Sequence, residues 1–170
     1  CECGRTTNLT VARKGYVPVE DILAELKHFL EDKPKLDFIT FAGSGEPTLH
    51  KRIDRVIDYI KDHYPEYPLC LLTNGVLFSS AHVRAQVRRA DLIVPSLDAA
   101  TEEVFKQINR PHPTLNCSNI IAGLVNLRRE YPGEIHLEIF IVPGLNDSPR
   151  ELAAIKSALE NISPDRVLVG

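Results

Sequence analysis

Segments with helical spacing and short strand-like runs take turns along this chain, and that alternation limits its fold more than any other feature. Residues 18–32 place Ile22, Leu23, Leu26, Phe29 and Leu30 at helical spacing behind Pro18. Residues 36–41 form a compact strand-like run ending at Ala42-Gly43. Ile53, Val56, Ile57 and Ile60 make one apolar stripe that stops before Pro65, and 69–72 run into the turn signal Thr73-Asn74-Gly75. A helix over 81–90 carries Arg84, Arg88 and Arg89 on a basic face, and a strand follows over 91–96. Helices over 101–108 and 119–130 flank the proline-rich Asn109-Arg110-Pro111-His112-Pro113. A longer strand spans 135–142, Leu152, Ile155, Leu159 and Ile162 mark the last helix, and 166–169 begin a final strand. Such alternation predicts an α/β fold with parallel strands and right-handed crossovers. Periodicity leaves open whether the sheet stays open or closes into a barrel. In both cases ligands gather at the carboxyl ends of the strands.

Those strand ends are conspicuous. The first leads into Gly43-Ser44-Gly45-Glu46-Pro47-Thr48, the second into Thr73-Asn74-Gly75, the third into Ser96-Leu97-Asp98 and the fourth into Pro143-Gly144-Leu145-Asn146-Asp147. Glycines let a ligand approach the backbone, whose amides and carbonyls become recognition groups. Carboxylates such as Glu46 and Asp98 suit an ammonium group or ribose hydroxyls. Singly each segment is an ordinary turn; four at one end of a sheet predict a ligand pocket. The segment Gly43-Ser44-Gly45-Glu46 lacks the spacing of a dinucleotide fingerprint and of a P-loop, and no paired Cys-x-x-Cys or His-Glu-x-x-His zinc pattern occurs. His112, held between two prolines, could overhang the pocket.

Length and composition narrow the class. The 170 residues, 44% of them hydrophobic, can bury a core and are most simply one domain, residues 1–170. No apolar run is long enough to span a bilayer and no signal-peptide pattern appears, so no membrane partner is expected. The formal charge of −3 argues against a generally basic nucleic-acid surface. Four cysteines, at positions 1, 3, 70 and 117, do not form the framework of a small secreted domain. Cys70 reads as a buried small hydrophobe and Cys117 as structural at a helix start, whereas Cys1 and Cys3 stand in a polar segment. A reducing, cytoplasmic location follows. With Cys1 at its start, the chain is expected to be a fragment of a longer one.

Taken in order, Cys1-Glu2-Cys3-Gly4-Arg5-Thr6-Thr7, Phe41-Ala42-Gly43-Ser44-Gly45-Glu46-Pro47-Thr48, Leu72-Thr73-Asn74-Gly75, Pro95-Ser96-Leu97-Asp98-Ala99, Ile108-Asn109-Arg110-Pro111-His112-Pro113 and Val142-Pro143-Gly144-Leu145-Asn146-Asp147 resemble a radical S-adenosylmethionine (radical SAM) protein. The resemblance covers essentially the whole chain. It is nearest to the iron–sulfur oxidoreductases related to wybutosine-synthesis and activating enzymes. It implies a partial (β/α)6 TIM-like barrel whose first strand lies upstream of Cys1. It also implies a [4Fe–4S] cluster held by a Cys-x3-Cys-x2-Cys loop, of which Cys1 matches the third cysteine. Cys3 does not fit that spacing, and two ligands would have to come from upstream, since one thiolate cannot hold a four-iron cluster.

Roles carry over by position. Ser44, Gly45 and Glu46 resemble the segment that receives the methionine amino group, with Glu46 as its charged partner. Thr73, Asn74, Ser96 and Asp98 resemble positions lining the ribose and carboxylate pocket, and Val142 and the loop to Asn146 would flank the adenine. The implied reaction is reductive cleavage of S-adenosylmethionine to a 5′-deoxyadenosyl radical, which takes hydrogen from a substrate. That substrate would be an RNA base, a glycyl-radical protein or a small molecule, and the reductant a flavodoxin or ferredoxin. Two other readings compete. One is a non-catalytic, truncated nucleoside-binding barrel without a cluster. The other is an ordinary TIM-type aldolase or isomerase, against which Lys35 and Lys51 lie away from strand ends.

Overall fold

A computed structural model of the chain describes residues 6–43 and 45–170. Helix α1, Val19–Leu30, starts behind Pro18, carries Glu20 and Asp21 in its first turn and buries Val19 and Leu30. Phe29, expected on its apolar stripe, is 57% exposed. Strand β1 is short, Ile39–Phe41, and is followed by a 3-10 turn, Pro47–Leu49. Helix α2, Ile53–His63, buries the predicted stripe of Ile53, Val56, Ile57 and Ile60. Strand β2, Leu69–Thr73, leads to helix α3, Ala81–Gln86, and strand β3, Leu92–Pro95. Helices α4, Glu102–Ile108, and α5, Cys117–Glu130, precede strand β4, Glu134–Ile139. Helix α6, Pro149–Ile162, ends at Ser163, whose φ of 53° gives a left-handed cap, and strand β5, Arg166–Val169, follows.

The five strands form one parallel sheet in the order β1-β2-β3-β4-β5. Among the described residues the strand order never reverses, which sets aside an open sheet wound in both directions and leaves the arrangement of a partial barrel. Crossovers of the usual right hand that all step the same way lay their helices on the same face of the sheet. Strand β4 shows the consequence. Ile135, Leu137 and Ile139 are buried in the core, whereas Glu134 and Glu138 are exposed and His136 half-buried on the opposite face. One hydrophobic cluster runs from Val19 through Leu71, Ile93, Leu124 and Ile135 to Ile162, joining the sheet to its helical layer.

Strand β4 is shorter than the predicted 135–142, and the reason is chemical. Beyond Ile139, alternate backbone amides are claimed by side chains, Phe140 N donating to Asp98 Oδ1 at 3.0 Å and Val142 N to Asn146 Oδ1 at 2.7 Å, while Ile141 N still donates to the Gly170 carbonyl. Helix α3 is also shorter than predicted, ending in a turn that still buries Val87 and Ala90. Two arginines of the predicted basic face are ion-paired: Arg84 meets Glu130 at 2.8 Å, and Arg89 meets Asp58 at 2.9 Å and Asp62 at 2.7 Å. Among the described residues no helix is long and apolar enough to cross a membrane.

Candidate functional site

Three of the strand-end segments meet. Gly45, Glu46, Thr73, Asn74, Ser96 and Asp98 all border one cavity of about 930 Å³, together with the wall residues Asn109 and His112. Its volume is that of a small-molecule site. Val142 lies outside this lining, and Ser44, Cys1 and Cys3 lie outside the described residues.

At the end of β1 the chain turns through Gly43 and Gly45. A Cβ on either would meet nothing within 4 Å, so packing does not demand glycine there; its absence leaves backbone bordering the cavity. Glu46 follows, and its carboxylate is heavily engaged. Oε1 accepts from Thr48 N at 3.0 Å, Thr48 Oγ1 at 2.6 Å and Thr73 Oγ1 at 2.7 Å, and Oε2 accepts from Asn74 N at 2.8 Å. The end of β2 is a tight turn in which Gly75 N donates to Thr73 Oγ1 and Val76 N to Asn74 Oδ1, with Gly75 at φ 70°.

Beyond β3, Ser96 and Asp98 differ sharply. Ser96 is half-buried, and its hydroxyl lies 3.4 Å from Glu138 Oε2 across the open face of the sheet. Asp98 is 6% exposed and works as a tie. Its Oδ1 accepts from Phe140 N, its Oδ2 from Asn109 Nδ2 at 3.3 Å, and its backbone carbonyl from Asn146 Nδ2 at 2.8 Å. Asn146 is fully buried; its amide also donates to the Phe140 carbonyl and accepts from Val142 N. The loop from Val142 to Asn146, expected beside the adenine, is thus fastened to the end of β3. Asn109 Oδ1 is buried without a hydrogen-bond partner among the described residues, in the wall of the cavity. Arg110 takes a left-handed φ of 45°, and His112 Nδ1 lies 2.8 Å from Thr114 Oγ1.

Sequence reasoning missed Glu138, Asn109 and Glu151. Glu138 was signalled by the alternation of Glu134-Ile135-His136-Leu137-Glu138-Ile139, which puts its carboxylate on the face opposite the apolar residues. Asn109 carried no such signal. Glu151 is 1% exposed and accepts from Ala100 N and Thr101 N, supporting the start of α4 from the first turn of α6. Cys70 and Cys117 are buried free cysteines; burial pushes both thiols up, Cys117 to about 12 with Glu102 and Glu151 adding to the effect. Neither is a ready thiolate at neutral pH.

The wall offers the Ser96 hydroxyl, the engaged carboxylates of Glu46 and Asp98, exposed backbone and an unpaired buried acceptor. That donor and acceptor set fits a nucleoside carrying an amino-acid chain. It does not by itself fit an iron–sulfur cluster. Among the described residues no group of three or more His, Cys, Asp or Glu could hold a metal ion.

Comparison with known proteins supports the same family. A model described as the Radical SAM superfamily matches residues 1–154. The chain is 39% identical over 167 residues to a protein named GTPase Obg from Brachyspira hyodysenteriae, covering 98% of this chain and 24% of that protein. It is 27% identical over 168 residues to the UPF0026 protein MJ1312 of Methanocaldococcus jannaschii, covering 98% of this chain and 52% of the relative. It therefore spans from a quarter to about half of these relatives. Among solved structures, a radical SAM methyltransferase from Sphaerobacter thermophilus aligns with TM-score 0.60 and 19% identity, over 89% of this chain and 45% of that one. A domain of pyruvate-formate lyase-activating enzyme from Bacteroides vulgatus aligns with TM-score 0.55 and 13% identity, over 79% and 99%. At these identities the structures speak for the fold. With the family match spanning nearly the whole chain, and a parallel sheet whose strand ends border one cavity, this chain belongs to the radical SAM superfamily.

Proposed function

We propose that this chain is the cofactor-binding core of a radical SAM enzyme, that residues 1–170 act as one domain, and that the strand-end cavity takes S-adenosylmethionine. The observation carrying this reading is that the ends of β1, β2 and β3, far apart in sequence, border a single cavity of about 930 Å³. Ser96 supplies a hydroxyl suited to a ribose diol, and Glu138, outside the cavity lining, stands 3.4 Å from it. The open backbone of Gly43 and Gly45 and the end of β2 suit the amino-acid end. Asn109 Oδ1 is a buried acceptor that a ligand donor would satisfy, which removes the cost of leaving it unpaired. Leu72, Phe105 and Ile120 add apolar wall that excludes water from the bound sulfonium.

A [4Fe–4S] cluster, held by Cys1 with thiolates from upstream, would supply the electron for reductive cleavage of the sulfonium and so the means of taking hydrogen from a substrate. Cys1 is the proposed thiolate ligand in this chain. The chain's own residues bind the nucleoside, fix its orientation and keep competing water away. A one-electron reductant, such as a flavodoxin or ferredoxin, and a hydrogen-donating substrate are the partners this chemistry requires.

The test is anaerobic reconstitution, with iron and sulfide, of the chain extended upstream through the two further cysteines the cluster requires, followed by S-adenosylmethionine and dithionite. The expected result is 5′-deoxyadenosine and methionine by mass spectrometry. Ser96→Ala should weaken S-adenosylmethionine binding by roughly three- to tenfold, the worth of one hydrogen bond. Binding without deoxyadenosine would support the nucleoside-binding barrel instead. Absence of binding would refute the cavity assignment.

A further inference from the structure

Parallel pairing between β1 and β2 ends at Phe41 opposite Leu71, yet β2 continues to Thr73. Past that point, among the described residues, no backbone of the β1 segment is paired with β2, and the Glu46 side chain makes the link instead. Its Oε2 accepts the Asn74 amide and its Oε1 the Thr73 hydroxyl, while Oε1 also accepts the amide and hydroxyl of Thr48. Thr48, 1% exposed, anchors the carboxylate from beneath. One carboxylate thus meets four donors, enough to use most of its accepting capacity without any ligand.

We infer that Glu46 is a positioning residue: its carboxylate fastens the loop after β1 to the end of β2 and so shapes the cavity wall, rather than meeting the ligand's ammonium group. The inference rests on the reading that the cavity binds S-adenosylmethionine. It changes which variants matter. The Glu46→Gln substitution would keep the oxygen that accepts three of the four bonds and lose the tie to Asn74 and the negative charge, whereas Glu46→Ala would lose everything. Thr48 does not border the cavity, yet it supports the same carboxylate.

The experiment measures S-adenosylmethionine dissociation constants, by equilibrium dialysis, for the wild type, Glu46→Gln, Glu46→Ala and Thr48→Val, with amide hydrogen exchange and melting temperature measured on each free protein. Positioning predicts that Glu46→Gln stays within about fivefold of wild type, that Glu46→Ala loses at least about tenfold, and that Thr48→Val loses about threefold. It also predicts slow exchange at the Thr48 and Asn74 amides of the wild type, with Asn74 accelerated in both Glu46 variants. Direct contact with the ammonium predicts that Glu46→Gln fails as badly as Glu46→Ala while Thr48→Val binds normally; that result overturns the inference, as does unchanged binding in every variant. Should Glu46→Ala not fold, Glu46→Gln and Thr48→Val carry the comparison. If the wild type binds no S-adenosylmethionine, the parent reading falls and the fastening is decided by exchange alone: rapid exchange of both amides in the wild type overturns it.

Discussion

Gly123 lies where α5 passes the backbone of the turn after β2, and a Cβ there would stand 2.6 Å from Ser79 N and 2.7 Å from Phe78 C. Backbone cannot yield as a side chain can, so Gly123→Ala is expected to destabilise the protein by about 1–3 kcal/mol. Gly15→Ala, with nothing within 4 Å, should be close to neutral. Urea unfolding of the two variants checks the contrast; equal midpoints would show that α5 shifts freely. The same scale separates what residue type announces from what it does. Glu46 and Asp98 stand out in the sequence as carboxylates beside glycines and turns, and both border the cavity. Thr48 is a local partner of Glu46, but Thr73, Asn74 and, for Asp98, Phe140 come from distant segments, so the roles of both carboxylates as fasteners were not legible. The face that Glu138 takes is legible by parity along its strand, but its meeting with Ser96 depends on the bridge between the two residues after β3.

Helix α3 joins α5 through the buried Arg84, whose guanidinium holds both carboxylate oxygens of Glu130 and also donates to the Phe78 carbonyl at 2.6 Å. Hydrogen bonding to Arg84 holds the Glu130 carboxyl below its ordinary range. A lowered folded-state value means that the ionised carboxylate stabilises the fold above the unfolded value, and that this contribution disappears as pH falls through the lowered one. Glu130→Gln should therefore lower the urea midpoint at pH 7, with the gap to wild type closing as both are acidified below the ordinary carboxylate range. A gap that persisted in acid would point to packing rather than charge. Helix ends show how tertiary contacts redirect local signals. Ser148-Pro149-Arg150-Glu151 has capping-box spacing, and Ser148 Oγ accepts the Glu151 amide at 3.2 Å. The Glu151 carboxylate reaches instead to the amides of Ala100 and Thr101, so one helix start braces another.

Across the whole molecule, a continuous apolar cluster links every strand from β1 to β4 with the helical layer, Ile39 and Phe41 packing against it. Such a core is expected to melt as one unit: far-UV circular dichroism and tyrosine fluorescence should trace coincident urea transitions. Leu71→Ala, at a fully buried position in the middle of β2, should cost about 2–5 kcal/mol without splitting the transition. Two separated transitions would instead divide the chain into independent units. The alternation of helix and strand, the turn chemistry after each strand and the end of the sheet where a ligand would sit were determined by the sequence alone, because these depend on neighbours a few residues apart. Strand order, the early end of β4 and the division of carboxylates into fasteners and open groups were decided only by the tertiary structure. Glu46 meets Asn74 across 28 residues and Asp98 meets Phe140 across 42, and no local pattern encodes which distant amide a carboxylate will find.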